Sequence, residues 1–589
     1  MRPLKLKSER AQHKDVVTPS TKYLSIVVDT GVVHLTDAYT YAVPAVASIS
    51  VGHIVEVPFN NRTTTGFVVG ESEPVTNPKF ITKSLSGGPV FTQAQLHLFR
   101  LTSQRYGCGL YDVMRLALPH AAKSAQDTSL ELIKEKDKEL KRKPIFRPRA
   151  ITVPIGENRY ETVLEFVQSL SHKKLLLIVP NVRDLMPFIA AGFQPISGLS
   201  SKSMTAQAYI KANFSTGIFV GLRSSIFLDL EPDDGLIILD DLDPAHYEKH
   251  QPTYNTRDVA LLRSKYIQIY FIATFHSAEI AKMIQSGWIE ERLLKSKKEF
   301  QLLSENTKKP LQQLMKDSLK TGSVLLPAVS KSYRLGISCN KCRTQAHCKC
   351  GGRIIEQRRG SYHCNVCDKR MDSWVCEACG SNQIRTISRG GGIVAEELAR
   401  SIPNFPIFHI TSDNMMRDIP DKAVVLSTPG LEPHSSFSLV AVTDAEYLLS
   451  LPHLRSDELT ILRWLNAISQ VQDGGTVYIS LPPDSHIFQS INKRNWWIYM
   501  NPLLASRKEV LMPPFSRIIT VRGPENALSR ITKILGSSHQ YFHRQGQIIV
   551  KSDVKESEEV AHGLSSANRI FSLKRQETVR VEIDPFEVN

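Results

Sequence analysis

Eight of the nine cysteines in this 589-residue chain form four close pairs. The pairs are Cys339/Cys342, Cys348/Cys350, Cys364/Cys367 and Cys376/Cys379. Three have C-x-x-C spacing, which lets two thiolates close on one tetrahedral zinc ion. Eight thiolates at these spacings therefore predict two structural zinc ions with no open coordination position.

Disulfides and a single zinc ion are the alternatives for this cluster. Disulfides are disfavoured because Cys108 is left over as an odd thiol and no secretory signal is expected. His347 and His363 lie beside cysteines and are alternative ligands, although two four-thiolate sites do not need them. The segment holds few large apolar residues, so metal binding should supply most of its folding free energy.

The formal net charge is +15, which favours a polyanion partner because cations that neutralise phosphates release counterions. Cations are dense around the cysteines, where only Glu356 and Asp368 oppose them. They are Lys331, Arg334, Lys341, Arg343, Lys349, Arg353, Arg358, Arg359, Lys369 and Arg370. This pattern predicts a module that faces nucleic acid, and a merely solvated surface is the alternative.

Residues 1–149 divide into four segments by composition and hydrophobic pattern. Residues 1–20 are predicted to be a disordered basic tail and 21–90 a β-rich domain. Residues 91–122 hold two amphipathic segments, compatible with a winged-helix-like region, and 123–149 read as a charged linker. No apolar run approaches the roughly 20 residues of a membrane span, so we expect a cytoplasmic protein without membrane association.

The remainder predicts a multidomain α/β protein. Continuous apolar strands alternate with helices, which is typical of parallel sheets covered on both faces. We place one lobe at 150–295 and a second at 296–335 and 383–489. The second lobe is interrupted by the zinc-binding module at 336–382. Residues 490–589 form a C-terminal α/β domain.

Several segments, which follow one another in the family's order along the chain, resemble the bacterial primosomal protein N′ (PriA) family of replication restart proteins. Val220–Phe227 looks like its G-x-R-S-A-x-F segment, and Asp240–Asp243 stands at its D-E-x-H-type box. The other matching segments are Tyr39–Pro44, Gly52–Phe59, Tyr254–Arg263, Pro513–Arg517 and Val581–Pro585. The resemblance covers about residues 24–589.

The resemblance implies two RecA-like lobes and an ATP-driven 3′→5′ DNA helicase that helps to reload replication machinery at stalled forks. The implied partners are forked or branched DNA, primosome proteins, the machinery that loads the replicative helicase, and single-strand DNA-binding protein; a monomer is expected. In that family the outer cysteine pairs share one zinc ion and the inner pairs the other. One set would be Cys339, Cys342, Cys376 and Cys379, and the other Cys348, Cys350, Cys364 and Cys367. The family has C-x-x-C where this chain has Cys348-Lys349-Cys350, which puts the geometry of the second set in question.

The motor motifs are damaged. A phosphate loop needs G-x-x-x-x-G-K-[ST], but only Gly156 is present, Glu157 adds a negative charge, and Arg159 is the substitute cation. Asp240 and Asp241 keep carboxylates that could bind magnesium, or they are simply polar residues at a strand end. The arginine finger motif is missing, a loss that alone can remove about 10³–10⁵ in hydrolysis rate. These departures from the motifs count against ATP as a cofactor. The cysteine pairs leave two zinc ions as the expected cofactors.

The pocket for a DNA 3′ end also departs from the family pattern of aromatic-Asp-Tyr. Here the residues are Tyr39, Thr40 and Tyr41, whose rings can stack on a base or pack in an ordinary strand. Asn60 and Arg62 on the adjacent turn are candidate phosphate or sugar contacts.

Three functions remain as hypotheses. The first is a DNA-binding replication restart protein that recognises a fork or D-loop and assembles a primosome without helicase activity. The second is an active ATP-dependent 3′→5′ helicase with divergent motifs. The third is a zinc-ribbon protein that binds RNA.

Overall fold

The computed structural model describes residues 21–588 with gaps. The gaps are residues 46, 119–146, 328–334, 343, 351, 359, 365–366, 372, 387–397, 413, 415–417, 444, 446–448, 450–453, 537–538 and 545. The predicted basic tail at 1–20 and most of the predicted linker at 123–149 lie outside the described residues. Arg149 begins a strand.

The N-terminal domain is a six-stranded sheet with the order β5-β2-β1-β4-β3-β6. Its strands are β1 (Tyr23–Val28), β2 (Tyr39–Ala42), β3 (Ile54–Phe59), β4 (Arg62–Glu71), β5 (Lys79–Phe80) and β6 (Lys83–Ser84). Gly66 of β4 crosses β1 closely, since a Cβ there would lie 2.5 Å from Ile26 Cγ2. This sheet confirms the predicted β-rich domain.

Two helices join this domain to the first lobe. They are α1 (Gln93–Tyr106) and α2 (Leu110–Ala117). Thr92 and Gln95 form a capping box that starts α1, and Gly107 in the left-handed conformation ends it. Gln95 Nε2 also donates to the carbonyl of Phe227 at 2.7 Å, so α1 is docked on the lobe.

The first lobe is a seven-stranded parallel sheet with the order β13-β7-β12-β11-β8-β10-β9. Its strands are β7 (Arg149–Thr152), β8 (Lys174–Ile178), β9 (Gln194–Pro195), β10 (Gly217–Gly221), β11 (Gly235–Leu239), β12 (Gln268–Ala273) and β13 (Glu290–Leu293). Its helices are α3 (Arg159–Gln168), α4 (Leu185–Ala190), α5 (Lys202–Phe214), α6 (Thr256–Leu262) and α7 (Ala278–Gln285). Alternate residues of β11 enter two different cores, so both faces are covered as predicted.

The second lobe is a six-stranded parallel sheet with the order β14-β24-β23-β15-β22-β21. Its strands are β14 (Phe300–Ser304), β15 (Val324–Pro327), β21 (Ile407–Ile410), β22 (Val424–Ser427), β23 (Phe437–Val442) and β24 (Val471–Ile479). Its helices are α8 (Leu311–Ser318), α9 (Ser456–Ile468), α10 (His486–Asn492) and α11 (Trp497–Glu509). Ile487, Trp496 and Met500 belong to this lobe's core, although the C-terminal domain was predicted to begin at residue 490.

The cysteine module is an antiparallel sheet with the order β19-β18-β17-β16-β20, inserted between β15 and β21. Its strands are β16 (Leu335–Cys339), β17 (Ile354–Arg358), β18 (Ser361–Cys364), β19 (Arg370–Met371) and β20 (Ile384–Thr386). Because β20 pairs with β16, the module extends to residue 386 and not to 382. It also has a small core of Ile337, Ala346, Ile354 and Trp374, which the sequence did not predict.

The C-terminal domain is an antiparallel sheet with the order β26-β27-β25-β28, covered by two helices. These elements are β25 (Ser516–Arg522), α12 (Glu525–Leu535), β26 (Gln540–Arg544), β27 (Gln547–Asp553), α13 (Ser557–Leu573) and β28 (Arg580–Ile583). The predicted multidomain α/β class with two parallel-sheet lobes is thus confirmed. Among the described residues, no helix is long and apolar enough to cross a membrane.

Candidate functional site

The first cysteine cluster joins the two ends of the module. The sulfur atoms of Cys339, Cys342, Cys376 and Cys379 all lie within 4.8 Å of one another. Cys339 Sγ is 3.5 Å from Cys379 Sγ, and Cys342 Sγ is 3.5 Å from Cys376 Sγ. Tetrahedral zinc with Zn–S bonds of about 2.3 Å needs sulfur atoms about 3.8 Å apart, so this cluster fits the ion.

Hydrogen bonds of the local turns hold these thiols in place. The Cys342 amide donates to Cys339 Sγ at 3.5 Å. The Cys376 amide donates to the Ser381 carbonyl at 2.9 Å across a turn that contains Gly380 in the left-handed region. Each C-x-x-C pair therefore sits on a tight turn that directs both sulfurs to one point.

The second cluster groups Cys348, Cys350, Cys364 and Cys367, also within 4.8 Å. Cys348 Sγ is 3.7 Å from Cys367 Sγ, and Cys350 Sγ is 3.4 Å from Cys364 Sγ. The shorter C-x-C spacing thus still brings four sulfurs together. Neither cluster includes His347 or His363. All eight cysteines are free thiols, and these separations are far longer than the roughly 2.05 Å of a disulfide.

Of the predicted cations around the cysteines whose side chains the structure describes, four are exposed and one is buried. Lys341, Lys349, Lys369 and Arg370 are exposed. Arg353 is only 4% exposed and donates to Gln345 Oε1 at 2.6 Å, so it is not part of a surface. Lys331, Arg334, Arg343 and Arg359 lie outside the described residues, and the Arg358 side chain is not described.

The predicted DNA-end residues lie around one β-hairpin. Tyr39 packs edge-to-face on Phe59 with ring centroids 5.2 Å apart. Asn60 and Asn61 have φ of 46° and 60°, forming the two-residue turn that pairs Phe59 with Arg62. Asn60 and Arg62 are exposed, and Arg62 Nη2 donates to the Thr30 carbonyl at 3.1 Å.

The other two residues of this set are Tyr41, which is buried, and Thr40, which lies on the opposite face of the strand. Tyr41 is 3% exposed and its hydroxyl donates to the Pro58 carbonyl at 3.2 Å. Burial raises the pKa of Tyr41 to about 12. Successive residues of a strand point to opposite faces, so Thr40 faces away from both tyrosines and hydrogen-bonds Ser72 at 2.7 Å. Of the two tyrosine rings, only that of Tyr39 is partly exposed to solvent.

The segment around Gly156, where the sequence predicts a degenerate phosphate loop, is covered by Phe300 at the start of β14 and by the chain just before it. A Cβ at Gly156, which has φ +97°, would lie 2.6 Å from the Phe300 ring. The Glu157 carboxylate accepts hydrogen bonds from the amides of Lys297 and Lys298 and from Ser296 Oγ at 3.0 Å. The connecting segment therefore lies against the loop that would cradle phosphates.

The substitute cation is already paired. Arg159 Nε lies 2.9 Å from Asp240 Oδ2 as an ion pair, and both residues are at least 95% buried. Arg159 Nη2 also donates to the Tyr160 hydroxyl at 2.6 Å, which in turn donates to Asp184 at 2.7 Å. Burial raises the pKa of Asp240 to about 7, although the Arg159 charge opposes this shift.

Asp241 is paired as well. Its Oδ1 lies 3.4 Å from His276 Nδ1 and 3.5 Å from the Ser277 amide. Burial opposes ionisation, but the hydrogen bond from His276 and the charges of His276 and Arg257 lower the pKa of Asp241 overall. Asp243 caps a short turn by accepting from the Ala245 amide at 2.8 Å. Among the described residues, both carboxyl oxygens of Asp240 and Oδ2 of Asp241 are nevertheless buried without a hydrogen-bond partner.

Sequence reasoning missed a group of ionic residues between the lobes. They are Arg257, Glu279, Arg455, Glu458 and Arg507. No local signal could have found them, because they lie up to 250 residues apart and meet only in the folded chain.

The family model and the curated relatives that match this chain are PriA proteins or a domain of PriA. The family model described as a 3′ DNA-binding domain (3′BD) of PriA matches residues 25–119, and so includes α1 and α2. The chain is 23% identical to the probable replication restart protein PriA of Mycobacterium tuberculosis, covering 85% of this chain and 86% of that protein. The replication restart protein PriA of Rickettsia conorii is 25% identical, with 82% and 84% covered.

A structural match is weaker. The structure of RecG bound to a three-way DNA junction covers 68% of this chain and 51% of that chain, at 11% identity and a TM-score of 0.32. A score this low supports no argument about this chain.

Proposed function

Since this chain is a relative of the replication restart protein PriA along most of its length, we propose that it is a DNA-binding replication restart protein that does not hydrolyse ATP. It would recognise forked or branched DNA and serve as a platform for primosome assembly. The 3′ DNA-binding domain match at residues 25–119 and the PriA relatives support the DNA-binding part.

One observation gives the main support for the proposal that the protein does not hydrolyse ATP. The Arg159 guanidinium and the Asp240 carboxyl group lie 2.9 Å apart and are buried against each other. A motor would use such a cation on the triphosphate and such an acid on magnesium. With Phe300 over Gly156 as well, the described cleft offers neither a free cation at that point nor an open phosphate loop.

We assign zinc to the two cysteine clusters. Thiolates are soft ligands that favour zinc, and four-sulfur sites are structural. Bound zinc would cross-link the turns of the module and contribute to its folding. The ligands would be the two sets of four thiols whose sulfur atoms lie within 4.8 Å.

We assign DNA contacts to the hairpin of the N-terminal domain and to the cysteine module. Tyr39 would stack on a base, and Asn60 and Arg62 would contact the backbone. The exposed cations Lys341, Lys349 and Lys369 would contact phosphates. Primosome proteins, the helicase-loading machinery and single-strand DNA-binding protein are the proposed protein partners, and the proposed site of action is the cytoplasm, as a monomer.

Phosphate release tests the proposal. The purified full chain with its zinc should bind forked DNA and release no phosphate from ATP above background, with or without the fork. Fork-stimulated release that Arg159→Ala reduces would contradict it and support the helicase hypothesis. Tighter binding of structured RNA than of forked DNA at the same salt would support the RNA hypothesis instead.

A further inference from the structure

Residues from the former motor segments form an apolar core between the lobes. Ile155 of the phosphate-loop segment, Leu242 of the acidic box and Phe275 after β12 are at most 3% exposed. All three belong to the core cluster of the second lobe, which includes Phe437 and Trp464. The walls of the cleft are therefore packed on each other.

The aromatic contacts show how closely they pack. The Phe275 ring lies 5.8 Å from that of Trp496 and 6.1 Å from that of Tyr499. The indole nitrogens of Trp496 and Trp497 donate to Glu291 of the first lobe at 3.2 and 2.9 Å. These are contacts of a protein interior.

A buried ionic chain joins the same parts. Glu279 of α7 accepts from Arg257 Nη1 at 3.1 Å within the first lobe and from Arg455 Nη1 at 3.0 Å across the interface. Arg455 lies 3.9 Å from Glu458, which also pairs with Arg507. The Ala278 amide donates to Glu458 Oε1 at 3.3 Å.

A second group of contacts joins the lobes near Tyr160 and Arg183 of the first lobe. The His434 ring of the second lobe lies 4.7 Å from the Tyr160 ring of the first. Arg183 Nη1 donates to the Glu432 carbonyl at 3.4 Å. Phe300 covers Gly156 between these two regions.

The C-terminal domain and α1 are tied to this unit. Asp584 accepts from Arg105 of α1 at 2.9 Å and from Arg517 of β25 at 3.2 Å. The Arg455 guanidinium lies 5.7 Å from the Phe586 ring centroid.

We propose that the two lobes and the C-terminal domain form one permanently closed unit, in which residues of the motor segments now serve as the core of a fixed scaffold. Opening the cleft would expose apolar side chains and separate buried charges, both of which are unfavourable. The scaffold holds the N-terminal domain, docked on the first lobe through α1, in a constant position whether or not nucleotide is present. The proposal that the lobes are closed depends only on the contacts between them. The role of this unit at a DNA fork rests on the proposed function.

Inter-lobe distance tests the proposal directly. Labels placed through non-cysteine chemistry at the exposed residues Lys211 on α5 and Lys316 on α8 leave the zinc ligands intact. The full chain should give one narrow distance distribution, unchanged by ATP with Mg²⁺ or by forked DNA. Two populations, or a shift with nucleotide, would overturn the proposal.

Calorimetry provides a second reading. The unmodified chain should melt its two lobes in one transition, and Phe275→Ala should separate that transition into two. Phe188→Ala removes a ring buried within the first lobe alone, so it should shift the transition without splitting it. Two transitions in the unmodified chain would contradict a single unit.

The two proposals fail separately. A protein that hydrolyses ATP at constant inter-lobe distance would contradict the proposed function and leave the closed unit standing. Mobile lobes without hydrolysis would overturn only the closed unit.

Discussion

Arg159 and Asp240 form a buried ion pair at the residues where the PriA resemblance predicts a nucleotide site. The cation and the carboxylate are both in the cleft, but each is the other's partner at 2.9 Å. Burial at this point is nearly complete, so neither charge is compensated by water. The carboxylate therefore gains little from ionising, despite the neighbouring arginine.

Asp240→Asn should change how stability depends on pH. Burial raises the pKa of Asp240 from 3.8 to about 7, so the folded protein keeps a proton that the unfolded chain releases. This group stabilises the fold below pH ~4, and the contribution is lost as pH rises to about 7, by up to about 4 kcal/mol. The variant should lack that decline when the free energy of unfolding is measured against pH.

An exposed carboxylate is the control for that experiment. Asp421→Asn lies on an exposed turn and should leave the wild-type slope intact. Identical slopes for Asp240→Asn and the wild type would contradict the raised pKa. The difference between variant and wild type is the relevant quantity, because Asp241 and Glu279 have lowered pKa values and act in the opposite direction.

At the scale of elements, the cysteine module combines a small sheet with two clusters of sulfur atoms. Strand pairing between β16 and β20 brings the first and last cysteine pairs together, and the β17–β18 hairpin places Cys364 near Cys350. Each cluster therefore depends on strand pairing as well as on spacing. We expect metal bound to these clusters to add to the stability that the small apolar core provides.

Cys364→Ser should lower the zinc content from two ions per chain to one. Loss of one thiolate opens the second cluster, and amide hydrogen exchange should rise in β17 and β18. Cys108→Ser is the matched control, since Cys108 lies outside both clusters and should leave two ions. Unchanged zinc content in Cys364→Ser by metal analysis would refute the assignment of that ligand.

For the whole molecule, total charge and its local placement are separate contributions to DNA binding. A net charge of +15 favours polyanions in general, whereas Lys341, Lys349 and Lys369 are exposed cations of one module. Local placement and total charge can be separated by removing equal charge from two different surfaces.

The triple variant Lys341→Ala, Lys349→Ala and Lys369→Ala should weaken binding of forked DNA and reduce the salt slope. Each lost phosphate contact lowers the slope of log K against log salt by about 0.9. The control Lys202→Ala, Lys211→Ala and Lys316→Ala gives the same net charge, 15 − 3 = +12, from the lobes. Equal effects of the two triples in a fluorescence anisotropy titration would show that net charge alone governs binding.

The chain alone shows the cysteine pairs, the alternation of apolar strands with helices, and the absence of the G-x-x-x-x-G-K-[ST] motif around Gly156. These are short-range patterns, set by ligand spacing and backbone periodicity. Only the folded chain shows that Phe300 covers Gly156, that Arg353 is buried, and that Glu279 meets Arg455. Those facts depend on which distant segments pack together, and no local pattern encodes such contacts.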